Sequence, residues 1–423
     1  MGAEASASIG LMETTMWLLG SICSATAAGF YVQVSHQLGS NDPARARSTL
    51  RQGIMSVLVV SALLGLVSLA VSPFLPTWLG GNSHITPTAS AYFAIVATAL
   101  PIFQFSIFGA GMLRSSGNMV VPSVMSVVMM SLDVVFNFFL IFPTRPVELF
   151  GTQIMMPGMG MGVMGAAIGT VSAELVAASI TMYILCFRSK ELSLRIDTGR
   201  FLPTWGVVKR ALHISLPMGL QQTIMCSAYV MTTIIIAPLG TFAIAANSFG
   251  IIIESLCYMP GYGIADAATT LVGQSMGAGR HELMKRFAWL SVGLGVTVMA
   301  VMGVVMYVGA PTAMAMMTPA EEVRRLGVEV LRIEAFAEPM FAAAIVSYGV
   351  FVGAAKTLVP SIMNLISIWG VRISLAAMLA PSMGLRGVWI AMCIELCFRG
   401  LIFLVKLKFW NIQTSCKHYG KDQ

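Results

Sequence analysis

The clearest candidate for chemistry is Asp133, an aspartate in the middle of an apolar segment that covers about residues 119–143. Asn137 follows four residues later, so the two side chains share one face of a helix. No basic residue lies within four positions of Asp133, so a local ion pair does not explain it. Because a carboxylate is costly in hydrocarbon, we predict that this pair binds a proton or a cation such as Na⁺. The alternative is a structural acid with satisfied hydrogen bonds.

Seven other acids fall in apolar segments: Glu13, Glu174, Glu254, Asp266, Glu334, Glu338 and Glu395. Glu395 precedes Arg399 by one helical turn, which predicts a structural ion pair. Glu334 and Glu338 lie toward the arginine-bearing end of their helix, which favours a structural role for them too. We single out Glu254 as an additional polar residue that could face a cavity.

The composition predicts a membrane protein. The 423 residues are 57% hydrophobic and 10% charged, with a mean hydropathy of +0.82, whereas soluble domains carry about 25% charged residues. Apolar runs of about 20 residues recur, and each is long enough to cross a bilayer as a helix. The expected fold class is therefore an all-α polytopic membrane protein, with the lipid bilayer as its surroundings.

Eleven transmembrane spans are predicted, at about residues 6–36, 51–73, 88–113, 119–143, 161–187, 206–238, 242–274, 287–309, 327–354, 358–381 and 386–410. Of the 25 Lys and Arg, 18 fall in loops on one side and five on the other. This asymmetry predicts a cytoplasmic C-terminus, with position 195 inside and position 82 outside. It also explains the net charge of +7 without nucleic acid as a partner.

An internal repeat divides the chain. Four residues of the first half recur 238 positions later in the same order: Gly111, Pro122, Ser123 and Met125 match Gly349, Pro360, Ser361 and Met363. We predict two homologous bundles, with an N-lobe at 1–187, a cytoplasmic linker at 188–205, a C-lobe at 206–410 and a cytoplasmic tail at 411–423. The span at 206–238 has no counterpart in the first half, so five helices are expected there against six in the second.

Two motifs typical of soluble enzymes match by chance. The glycines at 160, 162 and 165 fit GxGxxG, and residues 273–277 fit GxSxG, but neither follows a strand. HExxH is absent. The sequence therefore predicts a protein that is not an enzyme, with no catalytic residue and no cofactor beyond a coupling ion.

Four stretches resemble motifs of the multidrug and toxic compound extrusion (MATE) family, nearer its DinF-like branch. They are VSHQLG at 34–39, GMLRSSGNMVVP at 111–122, IES at 253–255 with Pro260 and Gly261, and LVGQSMGAG at 271–279. The resemblance runs nearly end to end. It implies two six-helix lobes around a V-shaped cavity, so the first helix of the family is expected to be missing here.

The resemblance also implies an activity and a site. A MATE transporter exports organic cations, drugs or toxic metabolites in exchange for H⁺ or Na⁺, by alternating access. In the DinF-like branch an NxxxD pattern on the fifth helix helps to bind the coupling cation; here Asp133 and Asn137 carry these polar groups in swapped order. Thr170 resembles the sixth-helix threonine of that site. Carboxylates used by other branches fall at Met225 and Phe341, which leaves a second cation site in the C-lobe in doubt.

The function predicted from the sequence is thus a secondary active antiporter for a small cationic or amphiphilic substrate. A flippase for a lipid-linked or amphiphilic substrate is the alternative in the same superfamily, and a non-transporting membrane scaffold is the alternative of another class. We expect a monomer in a cell membrane of the bacterial inner-membrane type.

Overall fold

The computed structural model describes residues 3–80, 84–149 and 152–410, which form fifteen α-helices and one two-stranded sheet. The predicted all-α polytopic class is confirmed. Position 82, predicted to lie outside, and the predicted tail at 411–423 fall beyond the described residues.

The first of two compact units covers Met1–Gly219. Its helices are α1 (Ala3–Gly39), α2 (Pro43–Val71), α3 (Leu75–Trp78), α4 (Thr86–Thr98), α5 (Leu100–Ser115), α6 (Val120–Ile141) and α7 (Gly162–Tyr183). A turn of π-helix, Ile184–Arg188, continues α7. The start of α2 shows how the sequence sets these boundaries: Asp42 accepts a hydrogen bond from the backbone N–H of Arg45 at 3.0 Å, and Pro43 occupies the first helical position.

The second unit covers Leu220–Gln423. Its helices are most of α8 (Trp205–Ile236), then α9 (Thr241–Gly277), α10 (His281–Met317), α11 (Glu321–Glu334), α12 (Glu338–Gly353), α13 (Leu358–Ile366), α14 (Ser374–Met383) and α15 (Leu385–Lys408). A 3₁₀ turn, Ala237–Leu239, follows α8, and a π-helical segment, Ser367–Ile373, joins α13 to α14. The division between the units falls inside α8, and the lobe boundaries predicted from the sequence stay a prediction.

Nine described helical segments are long and apolar enough to cross a membrane. Two further pairs of helices pass the same test together: α4 with α5, bent by 47°, and α11 with α12, bent by 58°. With each bent pair taken as one span, the described residues contain eleven spans, as the sequence predicts.

The internal repeat recurs in the helix boundaries. The spacing of 238 residues relates the ends of α1 and α9 (Gly39, Gly277) and the starts of α2 and α10 (Pro43, His281), of α5 and α12 (Leu100, Glu338), and of α6 and α13 (Val120, Leu358). It also relates Gly117 and Ala355, which follow α5 and α12 with φ of 84° and 55°. Ala355 therefore keeps a left-handed turn that glycine adopts more easily.

Both bent spans break at the start of a helix that has proline as its second residue. Pro101 and Pro339 hold these positions in α5 and α12. Proline lacks a backbone N–H and fits best in the first turn of a helix, so it begins a new helix here instead of continuing the previous one. In the second unit Glu334 ends α11 and Glu338 begins α12. The break therefore places two acids close together.

A β-hairpin follows α6 and was not predicted. Strand β1 (Pro143–Leu149) pairs antiparallel with β2 (Thr152–Met159), with an irregularity between Pro143 and Arg145. The sequence analysis placed no structure between residues 143 and 161, because glycine and proline interrupt any alternation of polar and apolar residues there. The guanidinium of Arg145 lies 3.9 Å from the ring centroid of Phe142 and so ties the hairpin to the end of α6.

Each unit has its own buried core. In the first unit α1, α2 and α5 meet around Phe30, Leu50 and Phe108. In the second, residues of α9, α10, α12 and α15 pack together, with Phe351 and Phe403 fully or almost fully buried. These cores fix the helices that carry the polar side chains described next.

Candidate functional site

Asp133 and Asn137 contact each other directly in the first unit. The Asn137 side-chain amide donates a hydrogen bond to Asp133 Oδ1 at 3.0 Å, and both residues are half-buried. The other amide atom, Asn137 Oδ1, is buried and has no hydrogen-bond partner among the described residues. Since buried acceptors are normally satisfied, this oxygen is available to a donor or a cation.

Close packing of α6 and α7 positions this pair. A β-carbon at Gly169 of α7 would overlap Asn137 Oδ1, so only glycine allows this approach. Thr170, the third residue of the predicted site, is next to Gly169 and half-buried. Within the described residues no hydrogen bond joins Thr170 to Asp133 or to Asn137. The structure thus brings two of the three predicted side chains into contact and places the third beside their packing partner.

Two residues without a predicted role lie within electrostatic range of Asp133. Glu174 of α7 is buried, interacts with Asp133, and receives a hydrogen bond from Ser106 of α5. Tyr92 of α4 also interacts with Asp133. Glu174 follows Thr170 by four residues on the same helix face, so spacing alone could have added it to the site. The acidic group of the first unit is therefore Asp133 with Glu174, and no arginine contacts the Asp133–Asn137 pair in the described structure.

A buried ion-pair network occupies the second unit. Glu395 of α15 accepts hydrogen bonds from Ser367 at 2.5 Å, from Arg372 at 3.1 Å, and from two Arg399 nitrogens at 2.7 Å each. Its side chain is fully buried, and both arginines are nearly so. The predicted pairing of Glu395 with Arg399 is confirmed. We call these four residues the Glu395 network.

Glu334 and Glu338 lie at the break between α11 and α12. Both are fully buried, and none of their four carboxyl oxygens has a hydrogen-bond partner in the described structure. The arginine on the same helix, Arg332, donates to the carbonyl of Tyr307 at 3.4 Å and to neither acid; the structural role expected of the two acids stays a prediction. Buried acids without partners are typical of functional positions in membranes.

Glu254 of α9 completes an acidic group in the second unit. It is buried, and it interacts electrostatically with Glu334 and Glu338, as well as with Arg372 of the neighbouring network. We call Glu254, Glu334 and Glu338 the three-glutamate group. Together with the Glu395 network, this region holds four carboxyl groups against two guanidinium groups.

Aromatic side chains lie beside Glu254. Tyr258 packs against Tyr262 and Phe341, with ring centroids 5.7 and 5.6 Å apart, and Glu254 acts electrostatically on both tyrosines. Tyr262 is exposed. An acidic group next to tyrosine rings can bind an organic cation by charge and by cation–π contact.

The residues singled out by the family resemblance in the second unit do not supply this charge. Met225 and Phe341 carry no carboxylate, whereas Glu338 lies one turn before Phe341 on α12. Within the described residues no three His, Cys, Asp or Glu side chains are arranged to hold a metal ion.

The family model described as MatE matches residues 1–139 and 217–378, which is more than half of the chain. Among curated proteins, the chain is 24% identical over 407 residues to a probable multidrug resistance protein NorM of Thermotoga maritima, covering 95% of this chain and 84% of that protein. It is 27% identical over 398 residues to the protein of the same description from Chromobacterium violaceum, with 92% and 82% covered.

Solved structures share the fold. A MATE crystal structure in the straight conformation has a TM-score of 0.88 at 19% identity, covering 99% of this chain and 90% of that one. A transporter of the MOP superfamily from Pyrococcus furiosus has a TM-score of 0.86 at 19% identity, with 96% and 88% covered. Motifs, spans, helix boundaries and the matched family model agree, and the chain belongs to the MatE family of multi-pass membrane transporters.

Proposed function

We propose that this protein is a secondary active exporter that moves organic cations, including drugs, outward in exchange for H⁺ or Na⁺. The relatives described as multidrug resistance proteins support this proposal. The observation that carries it is the surplus of buried carboxyl groups in the second unit, where Glu334 and Glu338 have no hydrogen-bond partner among the described residues.

The three-glutamate group is proposed to attract the substrate. The attraction between a carboxylate and a cation is stronger in a region of low polarity than in water, because the charges are poorly screened there. Tyr258 and Tyr262 offer ring faces next to Glu254, so a flat or bulky cation can be bound without a dedicated set of hydrogen bonds. Such contacts suit a transporter with several cationic substrates.

The coupling ion is proposed to bind in the first unit, at the Asp133–Asn137 pair. Asp133 provides a carboxylate, Asn137 provides the unpartnered amide oxygen, and Thr170 lies beside them as a third oxygen. A site of this kind couples transport only if its affinity for the ion differs between conformations, since that difference lets a gradient shift their populations. Glu174 is a second carboxyl group within electrostatic range of the same ion.

The charges argue against the flippase alternative. An anionic lipid-linked substrate requires free cationic groups, but Arg372 and Arg399 both donate hydrogen bonds to Glu395. The three-glutamate group adds only carboxyl groups to this region, and these do not attract an anion. Placement in the DinF-like branch, a cell-membrane location with a cytoplasmic C-terminus, and a monomeric state are further parts of this proposal.

Flux into proteoliposomes tests the proposal. Vesicles with an acidic or sodium-loaded interior are diluted into alkaline, sodium-free buffer that contains ethidium. An exporter working as an antiporter should accumulate ethidium in protein-containing vesicles, and an ionophore that collapses the gradient should stop it. Translocation of a fluorescent phospholipid without a gradient would indicate a flippase. The absence of both activities under either gradient would indicate a non-transporting membrane scaffold.

A further inference from the structure

An apolar groove of about 550 Å³ lies on the first unit, and no acidic residue is among those that line it. It runs between α2, α5, α7 and the segment that follows α7. Ile102, Phe105, Leu175, Tyr183, Phe187 and Phe201 are among the residues that line it. Grooves of about 300 to 1,000 Å³ are the usual size for small-molecule sites, and this one is lined almost wholly by carbon.

Three basic residues are next in sequence to residues that line this groove. Arg188 follows Phe187, Arg195 follows Leu194 of the groove wall, and Arg200 precedes Phe201. All three arginines are exposed, and none has an acidic partner within the described residues. The Arg195 guanidinium lies 4.9 Å from the ring centroid of Phe187, directly beside the groove. We call Arg188, Arg195 and Arg200 the basic rim.

The acids of the same segment do not neutralise the basic rim. Asp197 is held by Arg47 and Arg51 of α2, at 2.8 Å from Arg47 and in a shorter contact with Arg51. These hydrogen bonds, first that of Arg51, hold the Asp197 pKa below its ordinary range, so it stays ionised and paired. Glu191 is the one other acid between residues 188 and 204.

The segment itself is fastened to the unit. Leu194 donates its backbone N–H to the Cys186 carbonyl at 2.8 Å, and Thr204 donates both its N–H and its hydroxyl to the Gln52 side chain at 2.8 Å. A rim held in this way loses little conformational entropy when a ligand binds.

Exposed apolar residues alternate with the basic rim. Ile196, Leu202 and Trp205 are all exposed in the same stretch. Tryptophan and arginine side by side are typical of the boundary between the hydrocarbon and the headgroup layer, where the apolar parts enter the membrane and the charges face water. The rim therefore lies at headgroup level, and the groove extends from it into the hydrocarbon.

We propose that this groove binds an anionic phospholipid, with one acyl chain along the apolar wall and the phosphate on Arg195 and Arg200. Lipid is always present beside a membrane-spanning helix, so the groove is filled by an acyl chain, and the basic rim selects a negative headgroup. This inference concerns a site apart from the proposed transport sites and does not depend on the proposed function.

Native mass spectrometry of the detergent-purified full chain tests the site. The probes are phosphatidylglycerol and phosphatidylcholine with identical acyl chains, and soluble glycerol phosphate. We expect the first phosphatidylglycerol to bind with at least tenfold higher affinity than phosphatidylcholine, and we expect glycerol phosphate not to bind. Equal affinity for the two lipids, or binding of glycerol phosphate alone, would overturn the proposal.

Two variants separate the rim from the groove. The double change Arg195→Gln/Arg200→Gln should reduce the affinity for phosphatidylglycerol to that for phosphatidylcholine. Ser179→Trp, which fills the groove from its exposed α7 wall, should weaken both lipids while leaving the rim intact. Lys406→Gln/Lys408→Gln is the matched control, because these exposed lysines lie at the end of α15 beside Phe409; it should bind lipid as the unaltered protein does.

The rim variant retains the groove and the core, so it tests the proposal even if Ser179→Trp does not fold. Unchanged selectivity in the rim variant, or an equal loss in the lysine control, would show that the general positive charge of the protein surface and not this site attracts the lipid.

Discussion

Each unit contains a network in which one carboxylate bonds to two arginines, and it also contains acids that no arginine contacts by a hydrogen bond in the described part of the chain. In the first unit the network is Asp197 with Arg47 and Arg51, and it fastens an exposed segment to the start of α2. In the second unit it is the Glu395 network, which is buried among the membrane-spanning helices. The first network thus holds a segment at the end of the helices, whereas the second compensates charges buried within them.

The acids that bond to no arginine also differ between the units, in their burial and in their hydrogen bonds. Asp133 is half-buried and bonded to Asn137, whereas Glu334 and Glu338 are fully buried and have no hydrogen-bond partner in the described structure. A half-buried, hydrogen-bonded carboxylate can exchange a small ion without disturbing its neighbours. Buried carboxyl groups without partners are instead costly to ionise, and a larger cation that approaches them would stabilise their ionised form. We therefore propose that the coupling ion binds in the first unit and that the charge of the substrate is bound in the second.

The largest expected effect comes from Glu395→Gln. It removes the charge that compensates Arg372 and Arg399, and breaking a buried ion pair costs about 3–5 kcal/mol because a charge is left unpaired. Thermal unfolding in detergent should show a large drop in the midpoint. Glu329→Gln is the control, since Glu329 pairs with Arg386 in an exposed bridge, which is worth about 1 kcal/mol or less. Equal destabilisation by both changes would show that the buried Glu395 network contributes no more to stability than the exposed Glu329–Arg386 pair.

Gly169→Ala should disturb the first unit directly. The new β-carbon would overlap Asn137 Oδ1 and lie 3.2 Å from the Asn137 backbone nitrogen, and overpacking of this kind costs about 1–3 kcal/mol. We expect a lower unfolding midpoint together with weaker ion-driven transport. Gly20→Ala is the matched control, because a β-carbon at that position of α1 would have no other atom within 4 Å; it should leave both properties unchanged or slightly improve stability. Normal coupling in Gly169→Ala would show that contact between α6 and α7 is not needed at the site.

Glu334→Gln/Glu338→Gln should weaken the binding of an organic cation without lowering the stability of the protein. These carboxyl groups have no hydrogen bonds to lose in the described structure, so the unfolding midpoint should not fall. Removing two groups that can ionise beside a bound organic cation should weaken its binding by about tenfold or more, which corresponds to at least about 1.4 kcal/mol. Equilibrium binding of ethidium, followed by fluorescence polarisation, measures this. Unchanged affinity would exclude the three-glutamate group from the substrate site.

The smallest effect should come from Asp197→Asn. The Asp197 pKa is lowered from its ordinary value of 3.8 by Arg51 and Arg47, so the ionised side chain stabilises the folded state above that pH. This contribution should disappear as the pH falls through the lowered value. Unfolding midpoints of the unaltered and variant proteins should differ at neutral pH and converge in acid. A difference that is independent of pH would mean that the segment is held by other contacts.

The sequence predicts the fold well where its signals are local or repeated. Apolar runs located eleven spans, and the repeat of 238 residues read from Pro122 and Pro360 recurs in the starts of α6 and α13. The hairpin at 143–159 was missed because strands rich in proline and glycine carry no alternating pattern.

The candidate sites show the same limit. The contact of Asp133 with Asn137 and that of Glu395 with Arg399 were predictable, because residues four apart share a helix face. The bond from Arg372 to Glu395 joins different helices, and so no spacing rule indicates it. The isolation of Glu334 and Glu338 depends on which side chains the helices bring near them, which a single sequence does not contain.

Gradient-driven ethidium uptake by Asp133→Asn proteoliposomes is the most direct test of the division between the units. Exchange of internal for external ethidium, measured without any ion gradient, is the internal control because it requires substrate binding but no coupling ion. Asn137→Ala serves as a weaker companion, since it deletes only a neutral ligand.

The account predicts that Asp133→Asn loses gradient-driven uptake and keeps ethidium exchange, with Asn137→Ala intermediate in uptake. Undiminished gradient-driven uptake by Asp133→Asn would contradict it, and Glu254 would then be the next residue to test for coupling.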